Sequence, residues 1–292
     1  MRAFPLLPRK KNTNKSDYGH ALVLAGSQAM PGAAILAGRA ALSSGAGLVT
    51  LGIPKSLVRM VPRVLPEAMP LGLAETPSGS LGSSALRPIL DFIQKKKISA
   101  LLIGPGLSQH KDTMQLVQRL IQEVKIPTVL DADGLNSFKG KAGLLKKHPA
   151  PLVLTPHRGE FERLFSQAWP ETEKRRIALA KRLSKFYDVV LVLKGHRTLV
   201  VKAGTVSINP SGNPGMAKGG SGDVLSGILV SFLAQGLDAF EAARWAVYFH
   251  GVAGDIAVKQ KGELGLLASD LIGALPKAFG KKLLLEWFDA PD

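Results

Sequence analysis

The sequence predicts a layered α/β domain with a mainly parallel central sheet. Short runs with strand composition alternate along the chain with segments of helical periodicity, which is typical of α/β proteins. Several strand runs, such as residues 101–103 and 189–193, are apolar without a break, as in strands that a parallel sheet buries on both faces. With 292 residues, 46% of them apolar, the chain is long enough to form one large core.

The predicted strands and helices alternate through the first two thirds of the chain. The strands are residues 21–25, 47–53, 100–103, 128–131, 152–155, 189–193, 198–202 and 206–208. The helices between them are residues 33–44, 84–95, 113–124, 159–165 and 172–186. Strands 189–193 and 198–202 are separated by four residues, a spacing that favours a hairpin at one end of the sheet. Helices 223–234 and 238–259 follow, and their apolar faces predict that they pack together.

The composition excludes several classes of site. The chain has no cysteine, which excludes disulfides, thiolate nucleophiles and iron–sulfur clusters. The six histidines show no H-x-x-x-H or H-E-x-x-H spacing, so no transition-metal site is expected. No uncharged apolar stretch reaches about 18 residues, so no membrane span is expected and the predicted location is the cytoplasm.

The formal net charge of +16 indicates a protein that attracts anions, from nucleotides to RNA. The basic residues are scattered, and only three Tyr and three Trp accompany them. No stripe of aromatic and basic residues therefore resembles a single-strand binding surface. We expect solvated basic surface and no nucleic-acid partner.

A glycine-rich stretch before helix 223–234 predicts an anion hole. The residues concerned are Gly219, Gly220, Ser221 and Gly222. Their backbone N–H groups can converge on one point, and the following helix adds the positive end of its dipole. Such a site suits a phosphoryl group in transfer.

Asp223 follows directly, where a negative charge would oppose a bound anion, and two interpretations compete. Asp is a favoured N-cap, so Asp223 could simply cap its own helix. Alternatively, it is a general base that removes the proton of a hydroxyl attacking the bound phosphate.

Four further polar turns follow predicted strands, where open α/β sheets bind their ligands. They are residues 104–107, 131–136, 155–160 and 194–198. Asp131 and Asp133 could bind Mg²⁺ or a ligand hydroxyl, although Asp is also common in ordinary turns. The chain lacks both the P-loop motif and the G-x-G-x-x-G spacing of a dinucleotide fold. A nucleotide site here must be of another kind.

Together these segments resemble the ADP- or ATP-dependent NAD(P)H-hydrate dehydratases of the ribokinase-like superfamily. The matching segments are residues 18–27, 31–37, 45–49, 104–107, 131–136, 155–160, 193–198 and 209–227. The most specific is Gly-Asn-Pro-Gly-Met-Ala-Lys-Gly-Gly-Ser-Gly-Asp at 212–223. The resemblance implies a ribokinase-like three-layer α/β/α domain over residues 15–278, between a basic N-terminal tail, 1–14, and a C-terminal tail, 279–292.

The resemblance also implies an activity. The S epimer of NADHX or NADPHX, the hydrated forms of NADH and NADPH, would be phosphorylated on its hydroxyl by ADP or ATP with Mg²⁺. Phosphate would then leave as the ring double bond re-forms. The N-terminal epimerase domain of many members is absent from this sequence, so a separate epimerase would supply the substrate. A homo-oligomer is expected.

Residue roles carry over by position. Asp223 would be the base and would contact the hydrate, and Gly220 and Gly222 would bind the phosphoryl group in flight. The remaining hydrate contacts would be Ala33, Ala34, Gly106, Asn136 and His157. The nucleotide would be held by Lys194, Gly195, His196, Arg197, Thr198 and Gly222. No residue is assigned as a metal ligand.

One departure and two alternatives accompany this resemblance. The family usually has His-Pro-Gly-Glu where this chain has Arg158 after His157, which would change the local turn or add a phosphate contact. The first alternative is a ribokinase-like kinase that phosphorylates a small hydroxylated metabolite and stops there. The second is a non-catalytic module that binds nucleotide or RNA.

Overall fold

The computed structural model describes residue 9 and residues 11–280. Its strands are β1 His20–Leu24, β2 Leu48–Pro54, β3 Met69–Leu73, β4 Ala100–Ile103, β5 Thr128–Leu130, β6 Leu152–Leu154, β7 Val190–Leu193, β8 Leu199–Lys202 and β9 Thr205–Ile208. Its helices are α1 Pro31–Ser43, α2 Val61–Val64, α3 Leu86–Lys95, α4 Lys111–Glu123, α5 Asp133–Asn136, α6 Arg158–Phe165, α7 Glu173–Tyr187, α8 Ser221–Ala234, α9 Ala239–Gly265 and α10 Ala268–Gly280.

The strands of the described residues form one sheet in the order β3-β2-β1-β4-β5-β6-β7-β8-β9. Strands β3 to β7 are parallel, whereas β8 and β9 add an antiparallel edge. The predicted mainly parallel sheet and the hairpin at its end are both confirmed. The chain runs outward from β1 to β3 and then returns to place β4 on the other side of β1. This reversal opens a crevice at the carboxyl ends of β1 and β4.

Helices cover both faces of the sheet, which confirms the three-layer α/β/α prediction. On β1, Ala21 and Val23 face a core shared with α1, α8, α9 and α10. Leu22 and Leu24 face the opposite core, shared with α3, α4, α6 and α7. Helix α8 is buried along nearly its whole length, as expected of a helix enclosed by neighbours on every side. None of the described helices combines the length and apolarity needed to cross a membrane.

All predicted strands and helices are present, with ends shifted by a few residues. Strand β3 was not predicted, because Pro70 and Gly72 are both unusual inside strands; its place at the sheet edge tolerates the proline. Helix α10 was also missed, and it contains Pro276. Residues 1–8, 10 and 281–292, which make up most of the two predicted tails, lie outside the described residues. The domain boundaries stay predictions.

Gly227 marks the point where α8 crosses α1 too closely for a side chain. A Cβ there would overlap the Ala37 carbonyl oxygen and lie 2.8 Å from the Ala40 Cβ. We expect Gly227→Ala to lower the free energy of unfolding by about 1–3 kcal/mol, because a packed core resists added volume. Gly273→Ala on α10 is the matched control: its Cβ would enter open space, so a gain of about 0.5–1 kcal/mol is expected. Urea denaturation measures both, and a loss at Gly273 equal to that at Gly227 would contradict this explanation.

Candidate active site

The residues predicted to act meet at the carboxyl edge of the parallel sheet. Turns that follow β1, β4, β5, β6 and β7 lie side by side there, and the N-terminus of α8 faces them. Parallel strands place these ends at one edge, so residues far apart in the sequence become neighbours.

The turns after β1 and β4 form one wall of this crevice. The Gly26 N–H donates to the Pro105 carbonyl at 2.8 Å. A Cβ on Gly106 would lie 2.9 Å from the Ala33 Cβ, and one on Gly26 would lie 3.1 Å from the Ala34 Cβ. Gly106 also has a φ of 64°, a conformation that favours glycine. Ala33, Ala34 and Gly106, all predicted substrate contacts, are therefore brought together.

Asp131 lies at the bottom of the crevice, at the end of β5, and is only 1% exposed. Its Oδ1 accepts a hydrogen bond from Lys194 Nζ at 2.7 Å, and its Oδ2 accepts one from Ser226 Oγ at 2.6 Å. Burial opposes ionisation, but the Lys194 charge and these hydrogen bonds outweigh it and hold the pKa of Asp131 below its usual value. Asp131 is thus a fixed negative charge.

Lys194, at the end of β7, is the cation of the site. Its ammonium also lies 3.6 Å from Glu160 Oε2. Burial favours the neutral amine, but the charges of Asp131 and Glu160 prevail and raise the pKa of Lys194. Lys194 therefore stays protonated. A Cβ on Gly222 would lie 3.4 Å from its Nζ, so the charge stands beside the first turn of α8.

The rest of the predicted nucleotide segment turns away from this ammonium. Residues 195–198 form an exposed or half-exposed turn between β7 and β8, in which the Thr198 hydroxyl donates to the Gly195 carbonyl at 2.8 Å. The Arg197 guanidinium pairs with Glu173 of α7 at 2.8 Å, and His196 is exposed. Of the segment 194–198, the structure brings Lys194 to the bottom of the crevice and leaves the others at its rim.

Asp223 lies in the first turn of α8 and does not cap it. The N-cap is Gly220, with a φ of 89°, and no side chain makes a capping hydrogen bond. The N-cap interpretation of Asp223 is therefore wrong, because the helix starts two residues before the carboxylate.

Burial raises the pKa of Asp223 to about 7. The charge of Asp131 adds to this, Lys194 opposes it, and Glu160 and Asp133 raise it further. We call Asp131, Asp133, Glu160 and Asp223 the acidic cluster. A carboxylate that titrates near neutral pH suits general base catalysis.

The predicted anion hole precedes Asp223. The Ser221 N–H donates to the Lys218 carbonyl at 3.3 Å, so it is already engaged. Within the described residues, the N–H groups of Gly219, Gly220 and Gly222 donate to no backbone carbonyl. Unpaired N–H groups at a helix N-terminus are well suited to bind an anion.

His157 and Asn136 line the other side of the crevice. His157 Nδ1 accepts from the Gly159 N–H at 3.0 Å and from the Glu160 N–H at 3.4 Å, and the Glu160 carboxylate accepts in return from the His157 N–H at 2.8 Å. This reciprocal pair begins α6. Arg163 Nε donates to Asn136 Oδ1 at 3.0 Å, and a Cβ on Gly159 would lie 3.2 Å from both the Arg163 guanidinium and the His157 ring. Arg163 therefore holds Asn136, and its guanidinium and the His157 ring both lie near Gly159.

Arg158 takes the place where the family pattern has proline. Its Nε donates to Glu162 Oε1 at 3.1 Å on the exposed face of α6. The helix entrance forms with its reciprocal hydrogen bonds all the same. The two expectations for Arg158, an altered turn and a phosphate contact, stay predictions.

Several site residues were not predicted. Ser226 binds Asp131 from within an apolar helix, and nothing in its local sequence distinguishes it from a buried serine. His250, near the anion hole, was also missed. Burial lowers the pKa of His250 to about 4; the Lys194 charge adds to this shift, and a hydrogen bond with the Ser221 backbone opposes it. His250 therefore stays neutral. A signal was present here, since His250 and Asp255 flank two glycines inside an apolar helix, where glycine is unfavourable.

Solved structures identify the class of fold. A ribokinase-like superfamily protein of Enterococcus faecalis matches with a TM-score of 0.78 and 28% identity, covering 92% of this chain and 89% of that one. The layered sheet and the glycine-rich loop before α8 thus define a ribokinase-like protein.

Sequence comparisons identify the family. The family model described as NAD(P)H-hydrate dehydratase matches residues 21–277. The ADP-dependent (S)-NAD(P)H-hydrate dehydratase of Bacillus subtilis is 34% identical over 93% of this chain and 92% of its own length. The chain belongs to the NAD(P)H-hydrate dehydratase family.

Two further relatives bear on ligands and length. The Bacillus subtilis ADP/ATP-dependent NAD(P)H-hydrate dehydratase, co-crystallised with ATP and Mg²⁺, matches with a TM-score of 0.80 and 33% identity over 94% of this chain and 93% of that one. The bifunctional NAD(P)H-hydrate repair enzyme Nnr of Moorella thermoacetica is 42% identical over 92% of this chain but 51% of its own length. This chain spans about half the length of such bifunctional relatives.

Proposed function

We propose that this chain dehydrates the S epimer of NADHX and NADPHX to NADH and NADPH at the expense of ADP or ATP. The observation that carries the proposal is the position of the buried Asp223 carboxyl group, directly after the glycine loop at residues 219–222 and near the Lys194 ammonium. The activity in the name of the Bacillus subtilis relative supports the same reaction.

In the first step, the hydrate hydroxyl attacks the terminal phosphorus of the nucleotide. Asp223 takes the hydroxyl proton as the new O–P bond forms, and the nucleotide leaves with one phosphate fewer. Charge develops on the transferring phosphoryl oxygens, where the N–H groups of Gly220 and Gly222 stabilise it. Lys194 adds a fixed positive charge beside Gly222.

In the second step, the phosphorylated hydroxyl departs. A hydroxyl is a poor leaving group, whereas phosphate takes the C–O electron pair readily. The ring nitrogen donates electrons to the carbon that loses the phosphate, and a proton leaves the neighbouring ring carbon as the double bond re-forms. The water removed from the hydrate is thereby consumed in splitting the nucleotide.

We assign the hydrate to the crevice between the two walls. Its proposed contacts are Ala33, Ala34, Gly106, Asn136, His157 and Asp223. The small residues allow a planar ring to approach the backbone closely, and the polar ones orient it. The nucleotide would lie on the other side of the glycine loop, with Lys194, Gly195, His196, Arg197, Thr198 and Gly222 as its proposed contacts.

Mg²⁺ would accompany the nucleotide. The described part of the chain has no group of three or more His, Asp or Glu side chains that could hold a metal ion. An ion carried on phosphate oxygens fits such a site, because Mg²⁺ keeps several waters and needs few protein ligands. The Asp131 carboxylate is occupied by Lys194 and Ser226, so water would complete the coordination. When bound, the ion supplies positive charge that offsets the acidic cluster.

Absorbance at about 340 nm tests the proposal, because the dihydronicotinamide ring absorbs there and its hydrate does not. NADHX, Mg²⁺ and protein are mixed with ADP in one cuvette and with ATP in another. We expect a rise together with release of one phosphate per NADH, and the faster cuvette identifies the donor. A stable phosphorylated product without NADH would instead indicate the kinase alternative. RNA binding with steep salt dependence and no phosphate release would indicate the binding module.

Partners follow from the same proposal. Bifunctional relatives about twice as long as this chain support pairing with an NAD(P)HX epimerase, because spontaneous hydration gives both epimers and this site would take one. The homo-oligomeric state, the cytoplasmic location and the absence of a nucleic-acid partner stay predictions.

A further inference from the structure

The segment at residues 211–218, which leads into the anion hole, lies against α9 at two glycines. A Cβ on Gly251 would overlap Ser211 Oγ, and one on Gly254 would overlap Met216 Sδ. Ser211 and the Met216 side chain therefore pack directly against the α9 backbone at these two glycines. A side chain at position 251 would also come within 2.8 Å of the Ser211 backbone and push the segment away from α9.

Asp255, one turn beyond Gly251 on the same helix, binds this segment with both carboxylate oxygens. Its Oδ2 accepts from the Gly212 N–H at 2.9 Å, and its Oδ1 accepts from Asn213 Nδ2 at 3.0 Å. Asn213 in turn accepts from the Gly215 N–H at 3.1 Å through its Oδ1. Hydrogen bonds to an ionised acceptor are stronger and shorter than neutral ones, so Asp255 holds the start of the segment firmly.

Short hydrogen-bonded turns connect this anchor to the anion hole. The Met216 N–H donates to the Asn213 carbonyl at 3.1 Å, and the Lys218 N–H donates to the Met216 carbonyl at 2.8 Å. The Ser221 N–H then donates to the Lys218 carbonyl at 3.3 Å. Since each turn fixes the next, the position of Asn213 determines where the N–H groups of the anion hole point.

We propose that Asp255 is a positioning residue for phosphoryl transfer: by anchoring Gly212 and Asn213 on α9, it sets the geometry of the anion hole at residues 219–222. The inference rests on the proposed function. Asp255 touches no reacting atom, so it acts through the backbone that it orients. Its loss would misplace the N–H donors by a fraction of an ångström or more, and positioning errors of that size reduce phosphoryl transfer strongly.

An exchange of the two partner side chains tests this role. Asp255→Asn leaves a single acceptor oxygen for two donors, the Gly212 N–H and the Asn213 amide. Asn213→Asp alone places two carboxylates against each other. The double variant Asn213→Asp/Asp255→Asn exchanges amide and carboxylate, so that one amide oxygen accepts from Gly212 while the carboxylate at 213 accepts from the amide at 255 and from the Gly215 N–H. Net charge is unchanged.

We expect each single variant to lower kcat by about tenfold or more, and the double variant to recover to within about threefold of wild type, since the coupling belongs to this pair. KM for the hydrate should change little, because all of its proposed contacts except Asp223 lie on other loops. Asp238→Asn, at the N-cap of the same helix, is the matched control and should be neutral, as Asn caps equally well.

Full activity in both single variants, or a double variant no better than the worse single one, would overturn the inference. Melting temperature and circular dichroism, measured for every variant, report any loss of fold; an activity loss that merely follows the folded fraction would also overturn it. Affinity for ATP, measured by calorimetry without hydrate, separates this test from the proposed function. If the wild-type protein lacks dehydratase activity, the proposed function fails. The role of Asp255 is then decided by ATP affinity: a loss in the single variants that the double variant recovers supports it, and unchanged affinity in the single variants overturns it.

Discussion

Asp223→Asn is expected to lower turnover by about 10² to 10⁴-fold, because the substitution removes a general base while keeping the size of the side chain. Nucleotide binding should persist, since the N–H groups of the glycine loop and Lys194 are unchanged. We expect the rate of phosphate release to fall by this factor, and we expect calorimetry to show an ATP affinity close to that of wild type. Turnover of the variant within a few-fold of wild type would show that Asp223 is not the general base.

The same carboxyl group predicts the pH dependence of the wild-type enzyme. The pKa of Asp223 is raised to about 7, chiefly by burial, and a base acts only in its deprotonated form. The rate should therefore rise with pH and level off above about pH 7, with one proton lost per active site. A rate that is constant between about pH 5.5 and pH 8 would contradict this assignment.

The raised pKa also predicts a gain in stability for Asp223→Asn. The folded protein keeps the Asp223 proton up to about pH 7, whereas the unfolded chain loses it near the ordinary aspartate pKa. The wild-type side chain therefore becomes progressively less favourable to folding as pH rises between these two values. We expect a melting temperature several degrees above wild type at pH 8, and a smaller difference at pH 5. An equal difference in melting temperature at pH 8 and pH 5 would show that the buried Asp223 charge does not cause it, and would contradict the raised pKa.

The second large effect is expected at Lys194. Lys194→Met should lower the free energy of unfolding by about 3–5 kcal/mol, because it leaves the buried Asp131 carboxylate without its cation. The double variant Asp131→Asn/Lys194→Met should recover much of this loss, since the uncompensated charge is then gone. Urea denaturation of both variants measures the effect.

Lys202→Met is the matched control for this substitution. Lys202 pairs with Asp188 at 3.1 Å, but the two side chains are 36% and 81% exposed. Exposed pairs contribute at most about 1 kcal/mol, so the loss should be small. Similar losses at Lys194 and Lys202 would show that burial of the Lys194 pair contributes little.

The sequence predicted most of the strands because their signals are local: unbroken apolar runs such as residues 101–103 indicate burial on both faces. It predicted Asp223 and the glycine loop for the same reason, as they form one continuous stretch. It did not predict the partner of Lys194, because Lys194 and Asp131 are separated by 63 residues and meet only through sheet pairing. Nor did it predict Ser226 or Asp255, whose hydrogen bonds depend on how helices α8 and α9 are oriented.

The contact between the two helices that cross at Gly227 has a consequence for the order of events during synthesis. Ser231 Oγ of α8 accepts from the Ala46 N–H, 185 residues earlier in the chain, and Gln235 donates to the Ser44 carbonyl. Until α8 has left the ribosome, the sheet face formed by Ala21, Val23 and their neighbours is covered by α1 and still lacks α8, α9 and α10, although its strands have already been made. Helix α8, which adds most of the remaining cover on β1 and α1, is also the helix that follows the predicted anion hole. A nascent chain therefore buries much of this exposed face at the same stage of synthesis at which the predicted anion hole is made.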